Sequence, residues 1–289
     1  MIFLTGNKSN FYSPSNKDGY VRPNISYNIS DQWKVVLGVN LPWGEDDLTE
    51  FGQMKKIKIV MSDFDIVFKT RSEYKPMGFD RKGHWEGVYA AKTPAEVSWY
   101  QINPAVSLEL IASSGISHTG RIIDVGGGAS VLVDKLLGQG FQDLTVLDVS
   151  SKALDYAKER LGSRAEAVKW LQADVTEFEF PGKYELWHDR AVFHFLTDPR
   201  DRKRYVEVMT KAVKPGGHVI IAAFALEGPS KCSGLDVERY NSDKFKKELG
   251  NSFHLIKSID EIHATPWKAE QKFTYCYFQT SVLRESNRP

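Results

Sequence analysis

Three consecutive glycines follow an acidic residue in the segment Asp124-Val125-Gly126-Gly127-Gly128-Ala129-Ser130. An apolar run precedes this segment and a helical pattern follows it, so it lies where a buried strand gives way to a helix. Glycines at such a junction let the backbone turn sharply and approach a ligand closely. The carboxylate of Asp124 would repel a pyrophosphate but would pair with an amine. The segment therefore predicts a loop that binds a ligand carrying an amino group.

Two more acidic residues follow apolar runs, in Leu147-Asp148-Val149-Ser150 and in Gln172-Ala173-Asp174-Val175. An aspartate at the end of a strand can simply cap the next helix, and this alternative stays open for Asp148 and Asp174 taken singly. A nicotinamide or flavin loop is a further alternative, but that pattern requires glycine or alanine where Val131 stands, and no acid before the loop.

These segments together resemble the class I S-adenosylmethionine-dependent methyltransferases, over roughly residues 79–281. Residues 121–130 are similar to the family's first motif, residues 147–150 to the second and residues 172–175 to the third. Lys214-Pro215-Gly216-Gly217 resembles the turn before the fifth strand. A frequent third glycine of the loop is replaced here by Ser130, which narrows the loop without preventing binding.

The resemblance implies S-adenosyl-L-methionine as the cofactor and assigns a role to each motif residue. Asp124 and the glycines Gly126, Gly127 and Gly128 would hold the amino-acid part of the cofactor. Asp148, followed by Val149, would bind both ribose hydroxyls. Asp174 would accept a hydrogen bond from the adenine amine, while the backbone N–H of Val175 would meet the ring.

The segment Trp187-His188-Asp189-Arg190 ends the fourth strand, which in this family faces the transferred methyl group. These polar residues are therefore the candidate catalytic residues. His188 would serve as a general base because an unperturbed imidazole titrates near neutrality. The structural alternatives are a strand-end hydrogen bond for His188 and an ion pair between Asp189 and Arg190.

Aromatic residues upstream predict a lid over the cofactor, at about residues 80–103. Trp85 lies in a segment that resembles the short tryptophan-containing helix covering the cofactor in several methyltransferases, and Trp99 follows in a second segment. Aromatic rings there would shield the sulfonium and attract it through cation–π contacts. Packing of the lid on the sheet would explain the same rings.

The acceptor is expected to be a small molecule. No carboxylate-rich pocket motif is present, and a thiol acceptor needs little help from a base at pH 7, so a thiol is the favoured class. One alternative is a protein-lysine methyltransferase, because the region around Trp85 and Trp99 is also similar to such enzymes. A non-catalytic module that binds S-adenosylmethionine is the alternative from outside the enzymes.

The elements that must position these residues alternate regularly from about Lys82 onward. Strands are predicted at 121–125, 144–149, 168–172, 184–188 and 218–224, and helices at 104–113, 130–137, 151–161, 191–196, 200–212 and 242–249. The last two strands, 253–262 and 273–279, are joined by a short connection. The pattern predicts an α/β fold with a doubly wound, mostly parallel sheet. The family resemblance implies seven strands with the last one antiparallel.

Residues 1–76 differ in character from the domain predicted for residues 77–289. They contain no histidine, and apolar residues alternate with polar ones around Ser30-Asp31-Gln32, which predicts a small β-hairpin. Whether this β-rich extension belongs to the working enzyme stays open. Met54, Met61 and Met77 offer alternative starts.

Composition limits the class of protein. The chain has 289 residues, 42% of them hydrophobic, and a formal charge of +1, which offers no general attraction for nucleic acid. Cys232 and Cys276 show no metal-ligand spacing, so neither a metal site nor a disulfide framework is expected. No apolar run reaches the length of a membrane span, and no secretory signal is recognisable, which favours a cytoplasmic protein. The oligomeric state is left open.

Overall fold

The computed structural model describes residues 79–180 and 182–282, together with the backbone of four strands nearer the N-terminus. The chain divides into two compact units, Met1–Tyr74 and Lys75–Pro289. The first unit contains strands β1 (Thr5–Ser13), β2 (Asp18–Ser30), β3 (Trp33–Gly38) and β4 (Leu41–Gly44), with β2 antiparallel to each of the others. The rest of the predicted extension over residues 1–76 lies outside the described residues.

The second unit alternates strands with helices. Its α-helices are α1 (Arg81–Ala91), α2 (Ala105–Ser113), α3 (Leu132–Gly138), α4 (Ser151–Leu161), α5 (Pro199–Ala212) and α6 (Ser242–Leu249). Short 3₁₀ turns span Pro94–Glu96, Gly162–Ala167 and Phe193–Phe195. Its strands are β5 (Arg121–Val125), β6 (Asp143–Asp148), β7 (Val168–Gln172), β8 (Tyr184–Arg190), β9 (Val213–Phe224), β10 (Lys231–Cys232), β11 (Leu235–Asp236), β12 (Phe253–Ala264) and β13 (Glu270–Thr280).

Seven of these strands form one sheet in the order β12-β13-β9-β8-β5-β6-β7. Strands β7, β6, β5, β8 and β9 are mutually parallel, whereas β13 is antiparallel to both β9 and β12. The last strand thus runs against the rest, and the predicted seven-stranded fold is confirmed. The carboxyl ends of β5, β6, β7 and β8 meet at one edge, where open α/β sheets bind ligands.

Both faces of the sheet are covered, so its central strands are apolar nearly throughout. Ile122 and Leu186 belong to the core on one face, while Ile123 and Trp187 belong to the core on the other. Removing each such side chain from water stabilises the fold by about 1.5–3 kcal/mol. This two-sided burial explains why the strands look like continuous apolar runs in the sequence.

One predicted element differs from the structure. The helix expected over residues 191–196 is a short 3₁₀ turn, Phe193–Phe195, preceded by Ala191 in a left-handed conformation with φ of 73°. The Asp189 carboxylate accepts hydrogen bonds from the backbone N–H groups of Val192 and Phe193, at 2.9 and 3.1 Å. These bonds hold the chain in a tight turn where an α-helix was expected.

No helix among the described residues of the second unit combines the length and the apolar character that crossing a membrane requires. Both cysteines are buried free thiols.

Candidate cofactor and acceptor site

The glycine loop after β5 packs directly against two carboxylates. A Cβ added to Gly127 would lie 2.4 Å from Asp124 Oδ2, and one added to Gly128 would lie 2.4 Å from Asp148 Oδ2. Gly128 also has a φ of +24°, which side-chain-bearing residues rarely adopt. The loop therefore forms a cradle that only glycine permits, beside the acids that the sequence singled out.

Asp124 is held by a residue from the neighbouring strand. His188 on β8 stands opposite Asp124 in the parallel register, and its Nδ1 lies 2.7 Å from Asp124 Oδ1. The other ring nitrogen, Nε2, lies 2.9 Å from the hydroxyl of Ser107 on α2. All three side chains are buried. Both nitrogens of the predicted base are thus engaged inside the protein.

Asp148 ends β6 and is buried beside the same loop. Its Oδ1 accepts a hydrogen bond from the backbone N–H of Ser150 at 2.9 Å. Burial, together with the nearby Asp124 carboxylate, raises the pKa of Asp148 to about 7, although the bond from Ser150 opposes the rise. Val149, next along the chain, accepts a hydrogen bond at its carbonyl from Gln172, at 3.4 Å.

Asp174 follows β7, and both of its oxygens already have protein partners. Oδ1 accepts hydrogen bonds from the backbone N–H and the hydroxyl of Thr176, at 2.8 and 2.7 Å. Oδ2 lies 2.9 Å from Nη1 of Arg81 on α1. Although burial alone raises the pKa of Asp174, these bonds hold it below its usual value. Val175, the expected backbone donor to adenine, is buried beside it.

Helix α1 and the segment after it bring aromatic rings to the glycine loop. Tyr89 and Trp99 line a cavity together with Gly126 and Gly127. The Trp85 ring does not line this cavity, but it meets the Trp99 ring edge to face, with centroids 5.7 Å apart. The spacing of Trp85 and Tyr89, four residues apart on one helix face, is a sequence signal that would have added Tyr89 to the site.

The three candidate catalytic residues point in two directions. His188 and Arg190 line the cavity, whereas Asp189, one residue between them, faces the opposite side of the strand. There its carboxylate accepts a hydrogen bond from Tyr205 on α5 at 2.5 Å. Burial raises the pKa of Asp189 to about 6, despite the bonds from Tyr205 and Val192 that lower it. The structure thus separates Asp189 from the other two.

Arg190 lines the cavity and is the centre of a polar cluster. Its Nε donates to the hydroxyl of Tyr275 at 2.7 Å, and its Nη1 donates to the Trp99 carbonyl at 3.0 Å. Glu261 lies 3.7 Å from Nη2 and accepts a hydrogen bond from Gln101 Nε2 at 3.0 Å. The predicted Asp189–Arg190 ion pair is absent from these contacts. Glu261 and Tyr275 carry no motif and were not identified from the sequence.

Comparison with known proteins indicates a methyltransferase domain in this chain. A family model described as a methyltransferase domain matches residues 122–217. The eEF1A lysine and N-terminal methyltransferase of Mus musculus is 30% identical over 156 residues, which are 51% of this chain and 22% of that protein. The ubiquinone biosynthesis O-methyltransferase of Pectobacterium carotovorum is 29% identical over 104 residues, 35% of this chain and 42% of that protein. The chain thus spans less than half the length of these relatives.

Among solved structures, the N-methyltransferase NodS from Bradyrhizobium japonicum WM9, in complex with S-adenosyl-L-homocysteine, shares the fold with a TM-score of 0.54. It is 17% identical, and the alignment covers 68% of this chain and 97% of that one. The matched domain, the sheet order and the glycine cradle agree, and S-adenosyl-L-methionine is the cofactor they indicate. Residues 122–217 thus form a methyltransferase domain, and the sheet has the class I, Rossmann-like fold of S-adenosylmethionine-dependent methyltransferases.

Proposed function

We propose that this protein transfers the methyl group of S-adenosyl-L-methionine to a small-molecule acceptor, with a thiol as the favoured class. The observation that carries the proposal is the cavity itself. The glycine loop lines it together with Arg190, Gln101, Tyr89 and Trp99. A donor bound on the loop and an acceptor bound near Arg190 would meet beneath the aromatic rings.

The glycine loop and the aspartates beside it would bind the cofactor. Asp124, oriented by His188, would accept hydrogen bonds from the cofactor's ammonium group, and Gly126, Gly127 and Gly128 would admit its amino-acid part close to the backbone. Asp148, beside Val149, would accept hydrogen bonds from the ribose hydroxyls. Asp174 and Val175 lie at the end of the next strand and would border the adenine.

The bound cofactor supplies a methyl group that is already activated by the positive sulfur. The protein therefore has to align the acceptor and exclude water, rather than generate a reactive group. Tyr89 and Trp99 would exclude water at the reacting atoms and attract the sulfonium through their ring faces. His188 would act by holding Asp124, and Asp189 by holding the turn after β8. Arg190 would contact the acceptor.

The preference for a thiol follows from the groups that line the cavity. Among its described lining residues, Asp124 is the one carboxylate, and its Oδ1 is bonded to His188. An ammonium acceptor would have to lose a proton to such a base before it could react, whereas a thiol ionises readily near pH 7. An easily ionised thiol therefore suits this cavity better than an ammonium acceptor does.

The direct test is to measure binding of S-adenosyl-L-homocysteine by calorimetry, then methyl transfer to a panel of small thiols, carboxylates and amines. Binding together with turnover of a small thiol would support the proposal. Binding without turnover on the panel or on a cell lysate would support a non-catalytic binding module. No binding at all would overturn the proposed cofactor site.

A protein-lysine acceptor is the second candidate, because the mouse relative is named for methylation of a lysine and an N-terminus on eEF1A. Incubating the protein with methyl-labelled cofactor and a cell lysate distinguishes the two candidates. We expect the label in the small-molecule fraction. Label recovered mainly in protein, at lysine after hydrolysis, would favour the second candidate.

A further inference from the structure

Helix α1 is attached at its start to the loop that follows β7. Arg81 Nη1 lies 2.9 Å from Asp174 Oδ2, and Nη2 is paired with Asp201 in the first turn of α5. About three quarters of each of these side chains is removed from solvent, with exposed fractions of 26%, 23% and 28%. Pairs shielded to this extent are screened less by salt than fully exposed pairs.

A second attachment, one turn further along α1, reaches the loop that follows β6. Glu86 accepts hydrogen bonds from the backbone N–H of Ser151 at 2.7 Å and from the hydroxyls of Ser151 and Ser150 at 2.9 and 3.2 Å. These groups form the N-terminus of α4, where a negative charge is favoured by the free N–H groups and the helix dipole. Desolvation raises the pKa of Glu86, but the bonds from Ser151 outweigh it and lower the pKa.

The two attachments fix the position of the aromatic residues between and beyond them. Tyr89 follows Glu86 on the same helix and packs with Ala129 of the glycine loop and Ala153 of α4. Displacing α1 would therefore move Tyr89 away from the loop. A cofactor lying on Asp148 and the glycines would leave only after Arg81 and Glu86 had released their partners.

The Arg81 contact also changes the expected role of Asp174. The Oδ1 atom of Asp174 is taken by Thr176, and the Oδ2 atom faces a guanidinium. An adenine amine approaching Oδ2 would have to share it with Arg81. The geometry favours an aspartate that acts by anchoring α1.

We propose that Arg81 and Glu86 are positioning residues that fasten α1 over the bound cofactor, and that Asp174 contributes to cofactor retention through Arg81. The inference rests on the proposed cofactor site. Its consequence is specific: loosening either attachment should speed the release of the cofactor product, even though neither side chain needs to touch it.

The experiment measures the dissociation rate and Kd of S-adenosyl-L-homocysteine for the full chain and its Arg81→Met and Glu86→Gln variants. We expect each variant to release the ligand about fivefold to tenfold faster, the range for partly buried charge-assisted bonds. Arg200→Met and Glu207→Gln are the matched controls, because each removes an exposed ion pair that does not involve α1. Unchanged release from both α1 variants would overturn the proposal.

A double-mutant cycle isolates Asp174. We expect Asp174→Asn, which leaves the Arg81–Asp201 pair in place, to weaken binding less than Arg81→Met, and the double variant to match Arg81→Met within twofold. If the effects of the two substitutions on binding multiply in the double variant, Asp174 contacts the ligand independently of Arg81. That result would overturn its assigned role. Arg81→Lys, which retains one ion pair, should give an intermediate rate if the variants fold alike. Failure of the unmodified protein to bind would instead contradict the proposed function.

Discussion

His188 Nδ1 lies 2.7 Å from Asp124 Oδ1, across two adjacent parallel strands whose register places the two residues opposite each other. Ser107 completes a buried row of three polar side chains. The Asp124 carboxylate is thus oriented by an imidazole that is itself bonded at both nitrogens. This arrangement explains how Asp124 can be both buried and well placed.

Replacing His188 should affect folding and cofactor binding together. His188→Phe fills similar space but leaves Asp124 and Ser107 without their partner, and each unpaired buried polar group costs about 1–3 kcal/mol. We expect the free energy of unfolding to fall by about 2–5 kcal/mol and the Kd for S-adenosyl-L-homocysteine to rise at least about tenfold. Urea unfolding and calorimetry measure the two effects.

The control for this variant is His254→Phe, since His254 is exposed and bonds only to Ser281, at 3.0 Å. It should change the free energy of unfolding by less than about 0.5 kcal/mol. Equal effects of the two substitutions would contradict the role given to the buried row.

Adding one methyl group to the glycine loop should abolish cofactor binding. In Gly128→Ala the new Cβ would lie 2.4 Å from Asp148 Oδ2 and 2.8 Å from Ala153 Cβ, so the loop must move. We expect no detectable binding of S-adenosyl-L-homocysteine by calorimetry at concentrations that saturate the unmodified protein.

Gly138→Ala is the matched substitution, because no heavy atom lies within 4 Å of its added Cβ and it ends α3. It should leave binding unchanged and should stabilise the helix slightly, by up to about 1 kcal/mol. Normal binding by Gly128→Ala would show that the loop does not cradle a ligand.

Stability without cofactor should depend on pH through Asp148. Its ordinary pKa of 3.8 is raised to about 7 in the folded protein, chiefly by burial. Between these values the folded state holds a proton that the unfolded state has lost, so raising the pH through this window destabilises the fold. Relative to Asp148→Asn, the unmodified protein should lose at least about 1 kcal/mol between pH 5 and pH 8. A pH-independent difference between the two proteins would contradict this prediction.

Cofactor affinity should show the opposite trend. In the proposed site the ionised form of Asp148 would accept hydrogen bonds from the ribose hydroxyls, so the Kd for S-adenosyl-L-homocysteine should rise as the pH falls from 8 to 6. Asp148→Asn should bind more weakly throughout, and its Kd should vary less over this range. Calorimetry at each pH measures the trend, and a Kd that falls toward pH 6 would exclude this role for Asp148.

The opposite face of β8 should tolerate a change without loss of binding. The Tyr205 hydroxyl donates to Asp189 and accepts a hydrogen bond from Trp187 Nε1 at 2.9 Å. Tyr205→Phe leaves both groups short of a partner, which should lower the free energy of unfolding by about 1–3 kcal/mol. Because these residues face away from the cavity, the Kd for S-adenosyl-L-homocysteine should stay within twofold. A tenfold change in Kd would show that this face supports the cofactor directly.

The sequence was sufficient to predict the order of strands and helices and the glycine loop beside Asp124 and Asp148. Those features are local. A glycine run after an apolar strand, or an aspartate at the end of a strand, can be recognised within about ten residues of sequence. The reversed direction of β13 followed from the family resemblance. The short turn after β8 was mistaken for a helix, because the side-chain bonds of Asp189 that form it have no distinctive pattern.

The contacts between distant segments could not be predicted from the sequence. His188 and Asp124 are 64 residues apart, and Arg81 and Asp174 are 93 apart. Such contacts depend on the register of the strands and on where helix α1 packs. The sequence therefore identified His188 as a polar strand-end residue, but only the packed sheet shows which carboxylate it holds.

The alternation of side chains along β8 has a practical consequence for protein engineering. Arg190 and its neighbour Glu261 can be randomised in a library aimed at new acceptors, since Arg190 lines the cavity and Glu261 lies 3.7 Å from its Nη2 atom. Trp187, Asp189 and Tyr205 should be kept constant in the same library. They are joined by hydrogen bonds on the face of β8 that is turned away from the cavity. One short strand thus separates the positions that are open to redesign from those that must be preserved.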